Sequence, residues 1–344
     1  MKKEEKAPDK KIGQKKKKSF LLRFFISMVS TLLILGIVLV GGYHYIFSDM
    51  ERDEGLTKEE TGIEDQDYFD KNVVNIALFG IDTLDSKMVG RSDSIIILSL
   101  DKKAKEIRLS AIQRDSYVDI EHPKRGTIKD KINHAYAFGG AKLAVKTLNK
   151  NFGLDIQDYV VINFTNMEKV VDTLGGIELE VSSAYRREAN HHIGALASKR
   201  GVTPKLIEKT GKQELTGMQV LGMLRARKQV GGVGVRSEMH EILLNACFEK
   251  VKQKNVLEYP NIAKSLMKLV KTTLSAGEVT DTAISVLTGG YEIRQGVFPL
   301  SEDLKGYGGR KINGVYYLTF NEETAPKNLQ NFVYEGIIPE DEEK

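Results

Sequence analysis

Acidic residues and arginines fall at the ends of consecutive apolar runs between Val73 and Val118, and that spacing carries chemistry. The runs read V-V-N-I-A-L-F-G-I-D-T-L-D, then G-R-S-D-S-I-I-I-L-S-L, then I-R-L-S-A-I-Q-R-D-S-Y-V. Each apolar stretch stops where charge begins, so Asp82, Arg91, Asp93, Arg114 and Asp115 are expected along one edge of a buried sheet. Carboxylates of this kind hold a divalent cation, and arginines fork onto phosphate oxygens; side by side they suit a diphosphate. Any one of them alone is an ordinary charge solvating a strand end. Five in register are harder to explain that way.

The elements that must position these residues alternate. Val73 to Phe79, Ser94 to Leu100 and Glu106 to Ile112 are rich in β-branched residues and too short for helices, so they read as strands. A helix is expected over Gly139 to Asn151, a strand over Tyr159 to Phe164, and a short helix opened by the capping box Thr165-x-x-Glu168 and closed by Gly175-Gly176. Ile177 to Val181 reads as a strand, and Ser182 to Glu214 as a long polar loop with His191 and His192 on its surface. Thr216-x-x-Gln219 caps a helix through Val220, Leu221 and Leu224 that delivers Arg225 and Arg227 at its C-terminal end. The glycine-rich loop Gly231-Gly232-Val233-Gly234 then leads to Arg236 and an amphipathic helix through Ile242, Leu243, Ala246 and Val251. A helix around Ile262 to Thr273 and strands at Gly296 to Leu300 and Gly314 to Phe320 complete the pattern. The fold class is therefore α/β, a layered domain with a central mixed sheet flanked by helices.

Charge is distributed unevenly along the 344 residues, although the formal net charge is only +4. Lysines crowd residues 1–22, which read as a basic cytoplasmic tail. Residues 23–47 follow as a single transmembrane helix, because Phe24 to Phe47 holds no Asp, Glu, Lys or Arg and is long enough to cross a core of about 30 Å. Its length exceeds a signal-peptide h-region, and no A-x-A-like site follows it. The positive-inside rule places everything beyond it outside the cell membrane. Residues 48–71 are acidic and poor in apolar side chains and read as a spacer; 72–336 form the exterior domain and 337–344 an acidic tail. Lysines beside a membrane span, without interleaved aromatics, engage anionic lipid headgroups and not nucleic acid. The lone Cys247 excludes an intramolecular disulfide.

Several segments in order resemble the LytR-CpsA-Psr family of cell-wall proteins. They are F-G-I-D-T from Phe79, G-R-S-D-S from Gly90, Q-R-D-S-Y-V from Gln113, K-I-N-H-A-Y-A-F-G-G from Lys131, V-D-T-L-G-G-I from Val171 and L-T-G-M-Q-V-L-G-M-L-R-A-R from Leu215. The resemblance implies a phosphotransferase that moves an anionic glycopolymer, teichoic acid or capsular polysaccharide, from a polyprenyl-pyrophosphate carrier to peptidoglycan. It also implies a magnesium ion held by Asp82 and Asp93, and an apolar pocket for the prenyl chain. Asp82, Asp93 and Arg114 would be catalytic, while Arg91, Arg114, Arg225, Arg227, Arg236 and His240 would contact the diphosphate. The chain departs from the family pattern at Val233, Met239 and His240, where aspartate, arginine and glutamine are usual, and at Gln113, where proline is usual. Those departures motivate an alternative reading: a protein that binds lipid-linked glycopolymer without transferring it.

Topology gives the first testable expectation. Protease added to intact protoplasts should remove the domain from Asn72 onward and spare the lysine-rich tail. A protected C-terminal epitope would contradict this orientation.

Overall fold

The structure is a computed structural model that describes residues 41–64, 69–83, 88–226 and 233–338. The chain divides into two compact units, residues 1–48 and 49–344. Of the first unit, residues 41–47 are helical; most of the expected span Phe24 to Phe47 lies outside the described residues. No helix among the described residues is long and apolar enough to cross a membrane.

The second unit begins with strand β1 (Glu51–Arg52) and the single turn α1 (Lys58–Thr61), followed by strands β2 (Val73–Ile81), β3 (Ser92–Asp101), β4 (Glu106–Ile112), β5 (Tyr117–His122) and β6 (Gly126–Lys131). Next come α2 (Ile132–Phe152), β7 (Asp158–Asn163), α3 (Phe164–Thr173), β8 (Ile177–Val181), α4 (Ser183–Arg200), β9 (Gly211–Leu215), α5 (Gly217–Arg225) and α6 (Val233–Lys252). The chain ends with α7 (Tyr259–Met267), β10 (Lys271–Thr272), α8 (Ala276–Gly289), β11 (Glu292–Phe298), β12 (Gly308–Ile312), β13 (Val315–Thr319) and α9 (Thr324–Gln330).

A seven-stranded sheet in the order β1-β10-β7-β2-β3-β4-β11 forms the centre. Its middle, β2-β3-β4, is antiparallel, while β7 runs parallel to β2 and β11 parallel to β4. The sheet is mixed, as the sequence implies. Strand period sorts the apolar residues onto two faces. Ala77, Phe79, Ile95 and Ile97 pack with Val145, Leu148 and Phe152 of α2 and with Phe332 near the C-terminus. Ile96, Leu100, Leu109 and Ala111 face the other way, toward Leu244 and Phe248 of α6 and Val286 of α8. A separate core joins α3, α4, α5, α6 and the β8-β9 hairpin through Val171, Ile193, Val220 and Leu243.

Four expectations from sequence are corrected. Residues 182–214 are not a loop: Ser182 caps α4 by accepting the Tyr185 amide, Gly201 ends it in the left-handed region, and β9 follows. Ala189, Ile193, Leu196 and Ala197 make a buried helical stripe that is easily lost among charges, with His191 exposed and His192 beside it. The cap of α3 is Asn163 and not Thr165, the Asn163 side chain accepting the Asn166 amide at 2.7 Å. Val233 and Gly234 already belong to α6, so the expected glycine-rich loop is shorter at its C-terminal side. Finally, the acidic stretch 48–71 is not a free spacer over its described part. Glu51–Arg52 pair with β10, Tyr159 donates to Asp53 at 2.5 Å, and Lys142 donates to Glu60 at 2.7 Å. The partners lie far along the chain, which is why local composition hid them.

The sheet end opposite Asp82 is tied by Arg108. Its guanidinium, 2 % exposed, donates to Asp101 at 2.8 Å, to Glu106 at 2.7 Å and to the Val333 carbonyl at 2.9 Å. Removing one partner of a buried ion pair strands the other and costs about 3–5 kcal/mol. Arg108→Ala should therefore lower unfolding stability by an amount of that order, measured by urea denaturation. A loss below about 1 kcal/mol would show the network to be slack.

Candidate active site

The acidic and basic positions singled out in the sequence meet at one edge of the sheet because of an irregularity in strand pairing. Gly80 pairs with Ser94, and the next pair is Ile81 with Ser92, so Asp93 is an extra residue on β3 with no partner of its own on β2. A bulge of this type bends the strand and re-aims the side chain it carries. Gly80 makes the close approach possible, since a Cβ there would lie 2.8 Å from the Ser94 Cβ.

Asp93 is aimed into a polar cavity of about 300 Å³ lined by Asp82, Arg91, Asp93, Arg114, Asp115, Lys131 and Asn133. Asp82 follows the end of β2, Arg114 and Asp115 follow β4, and Lys131 and Asn133 come from the junction of β6 with α2. Arg114 Nη1 lies 2.6 Å from an Asp93 oxygen, and its Nε lies 3.5 Å from Asp115. Lys131 donates to the other Asp115 oxygen at 2.7 Å, and the Asn133 amide to Asp93 at 3.3 Å. Arg225, the last residue of α5, donates to Asp82 at 3.0 Å. Five of the expected site residues are thus brought together: Asp82, Arg91, Asp93, Arg114 and, through Asp82, Arg225. Arg227 lies outside the described residues, and Arg236 falls within α6 at a position whose side chain is not described. Lys131 and Asn133 were missed as site residues. Their signal was present, for both lie in the K-I-N-H segment, but only the packing of α2 against β3 and β5 aims them at Asp93 and Asp115.

An apolar cavity of about 460 Å³ adjoins this edge on one sheet face. Its floor is Ile76, Leu78, Ile96, Leu98, Val160 and Ile162 from β2, β3 and β7, and its walls come from α3, α6, α7 and α8. Gly80 and Ser94, the bulge pair, line its end nearest Asp82 and Asp93. His240 is buried in this wall, its ring 6.5 Å from Phe164, and does not line the polar cavity. Met239, beside it, packs into the core of α3 to α6. Of the four departures from the expected pattern, Met239 and His240 therefore fall on the apolar side. Burial pushes the Cys247 thiol in the same wall up to about 12, so at neutral pH it is a protonated, unreactive lining group.

A profile of the LytR_cpsA_psr family matches residues 43–332. The chain belongs to this family. Among its relatives, a polyisoprenyl-teichoic acid–peptidoglycan teichoic acid transferase TagU of Enterococcus faecalis is 29 % identical over 321 residues, covering 92 % of this chain and 96 % of that one. The TagU of Oceanobacillus iheyensis is 28 % identical, with 85 % of this chain and 88 % of that one covered. Of solved structures, protein gbs0355 of Streptococcus agalactiae superposes with a TM-score of 0.64 at 20 % identity, covering 77 % of this chain and 87 % of that one. A family protein YwtF (TagT) with bound octaprenyl pyrophosphate lipid gives 0.58 at 23 % identity, covering 83 % and 100 %. The fold is the same.

The bulge itself can be tested. Gly80→Val must push Ser94 away and reseat Asp93, and overpacking of this kind costs about 1–3 kcal/mol. The urea midpoint should fall accordingly; an unchanged midpoint would mean the strands part freely at this point.

Proposed function

We propose that the protein is a membrane-anchored phosphotransferase that attaches an anionic glycopolymer, carried on polyprenyl pyrophosphate, to peptidoglycan. The reading is carried by one juxtaposition, a polar cavity lined by both carboxylates and cations at the end of an apolar cavity. A polyprenyl chain requires the second and its diphosphate the first. Relatives described as teichoic acid transferases, and a fold neighbour holding octaprenyl pyrophosphate, support the assignment. The basic tail and apolar run of the N-terminal region support a single-pass anchor, with the domain outside the cell and facing the membrane lipid that supplies the donor.

Chemically, the acceptor hydroxyl attacks the phosphorus that bears the glycopolymer, and the bond from that phosphorus to the oxygen of the prenyl phosphate breaks. Prenyl phosphate leaves with the electron pair, and the hydroxyl proton passes to a carboxylate, Asp82 or Asp93. Arg91, Arg114 and Arg225 sit where the charge of the leaving phosphate grows, and fixed cations there stabilise the transition state. Arg227 and Arg236 join them on the family resemblance. Asp82 and Asp93 line one cavity and would hold a magnesium ion together with substrate phosphates, one or two carboxylates being the usual protein share of such a site. When bound, the ion would neutralise charge on the diphosphate oxygens.

A second reading, a protein that holds lipid-linked glycopolymer without transfer, is favoured by Met239, packed in the core of α3 to α6, and His240, which lines the apolar cavity. Arg114 separates the two. Lysine keeps its charge but not its planar fork, so Arg114→Lys should lose transfer activity by about 10²–10³ while keeping thermal stabilisation by polyprenyl diphosphate. Arg114→Ala should lose both. Wild-type transfer by Arg114→Lys, with Arg114→Ala merely melting earlier, would make Arg114 a structural rim charge and move the binding reading ahead.

A further inference from the structure

A cluster of tyrosines stands at the rim of the polar cavity, on the side away from the apolar one. Lys131, which lines the cavity, lies 5.8 Å from the ring centroids of both Tyr316 and Tyr317. Tyr317 packs on Tyr117 at 4.7 Å, and Lys129 lies 6.0 Å from Tyr117. The hairpin β12-β13 that presents them is fastened to the cavity edge: Leu318 donates to the Asp115 carbonyl at 2.8 Å, and Ser116 bridges to Leu318. Burial and the nearby Asp115 carboxylate hold the Tyr316 phenol above its usual range.

Tyr316 is held in place and yet open. Its ring lies across Gly309, where a Cβ would come within 2.5 Å of its hydroxyl oxygen, and it is still 37 % exposed. Tyr307, just before β12, is 46 % exposed. A fixed aromatic face beside lysines is poorly suited to water alone. It suits the apolar face of a sugar ring, whose hydroxyls can reach neighbouring charges.

The geometry points to the acceptor: we propose that the tyrosine platform of β12-β13 docks the peptidoglycan glycan strand that receives the polymer. This rests on the transferase reading above. In an in-line displacement the nucleophile approaches phosphorus from the side opposite the leaving group. The leaving prenyl phosphate is tied to the apolar cavity, which spans β7, β2 and β3. Lys131 and Tyr316 go with α2 and the β5-β6 and β12-β13 hairpins, which pack on the sheet face opposite that cavity, Ile132, Val118 and Phe320 joining Ala77 and Phe79 there. The acceptor must come from there, and the platform is what that side offers.

The test uses the full chain in detergent, with soluble uncrosslinked peptidoglycan strands as the glycan probe and polyprenyl diphosphate as the lipid probe. Loss of an aromatic face from a binding surface costs on the order of tenfold in affinity. Tyr316→Ala should weaken glycan binding and raise the acceptor KM by about that factor, with lipid-induced thermal stabilisation unchanged. Tyr316→Trp should retain binding. Gly309→Ala, which displaces the ring without removing it, should weaken binding as Tyr316→Ala does, and so decides the matter if Tyr316→Ala folds poorly. Equal glycan affinity in all variants would overturn the proposal. So would selective loss of a saccharide-bearing donor, which would give the platform to the donor's sugar, or loss of binding to anionic vesicles alone. A wild-type chain that binds glycan strands but is not stabilised by polyprenyl diphosphate would overturn the transferase reading and leave the platform a glycan site.

Discussion

One extra residue in β3 decides what this sheet can do. With perfect pairing, β2 and β3 would continue their alternation past Gly80, and Asp93 would take its turn on a face governed by apolar packing. The step from Gly80-Ser94 to Ile81-Ser92 frees Asp93 from that alternation. Its carboxylate reaches Arg114 at the end of β4 and Asn133 at the start of α2. The acidic and basic residues of neighbouring strands meet around it, while Ser94 keeps its place at the end of the apolar cavity. The polar and apolar compartments are therefore neighbours because of a local fault in a ladder that is otherwise regular.

The same strands are finished differently at their two ends. At the far end Arg108 closes a compact network with Asp101, Glu106 and the Val333 carbonyl, and fixes β3, β4 and the C-terminal segment together. At the near end the pairs are spread around open space. Rigidity at one end lets the other be hollow. The kink at Gly139 and Gly140 contributes by letting α2 begin at the cavity with Asn133 and then turn to bury Val145 and Leu148 on the sheet. On the other sheet face Met239 packs into the core of α3 to α6 while His240, buried, lines the apolar cavity.

How legible this was in the sequence depends on the range of each interaction. The three central strands and the charges at their ends were visible, because β-branched runs and the charged residues that stop them are local signals. The helix Ser183–Arg200 was not, since its buried stripe is diluted by polar side chains on the remaining faces. The bulge has no signature of its own; Gly80 and Asp93 look like ordinary strand residues until the register is known. Lys131 lay inside a recognisable segment, but its reach to Asp115 depends on how β6 hands over to α2. The docking of Asp53 onto Tyr159 and Lys271 joins positions that no window of sequence contains together.

The polar cavity also has an unforced arithmetic. Its described lining holds three carboxylates, Asp82, Asp93 and Asp115, and three cations, Arg91, Arg114 and Lys131, with Arg114, Lys131 and the adjacent Arg225 already engaged by the acids. Such a space is only a weak electrostatic trap. Counting Arg225, four cations face three acids, so an anion entering meets a modest excess of positive charge and gains its place largely by taking over pairs that Arg114, Lys131 and Arg225 now make with the acids. Entry is then sensitive to the balance of charge the guest brings. A guest whose own charges are balanced can take over such pairs without leaving a buried charge unpaired. Any guest of this cavity must therefore replace the ion pairs it breaks with pairs of its own.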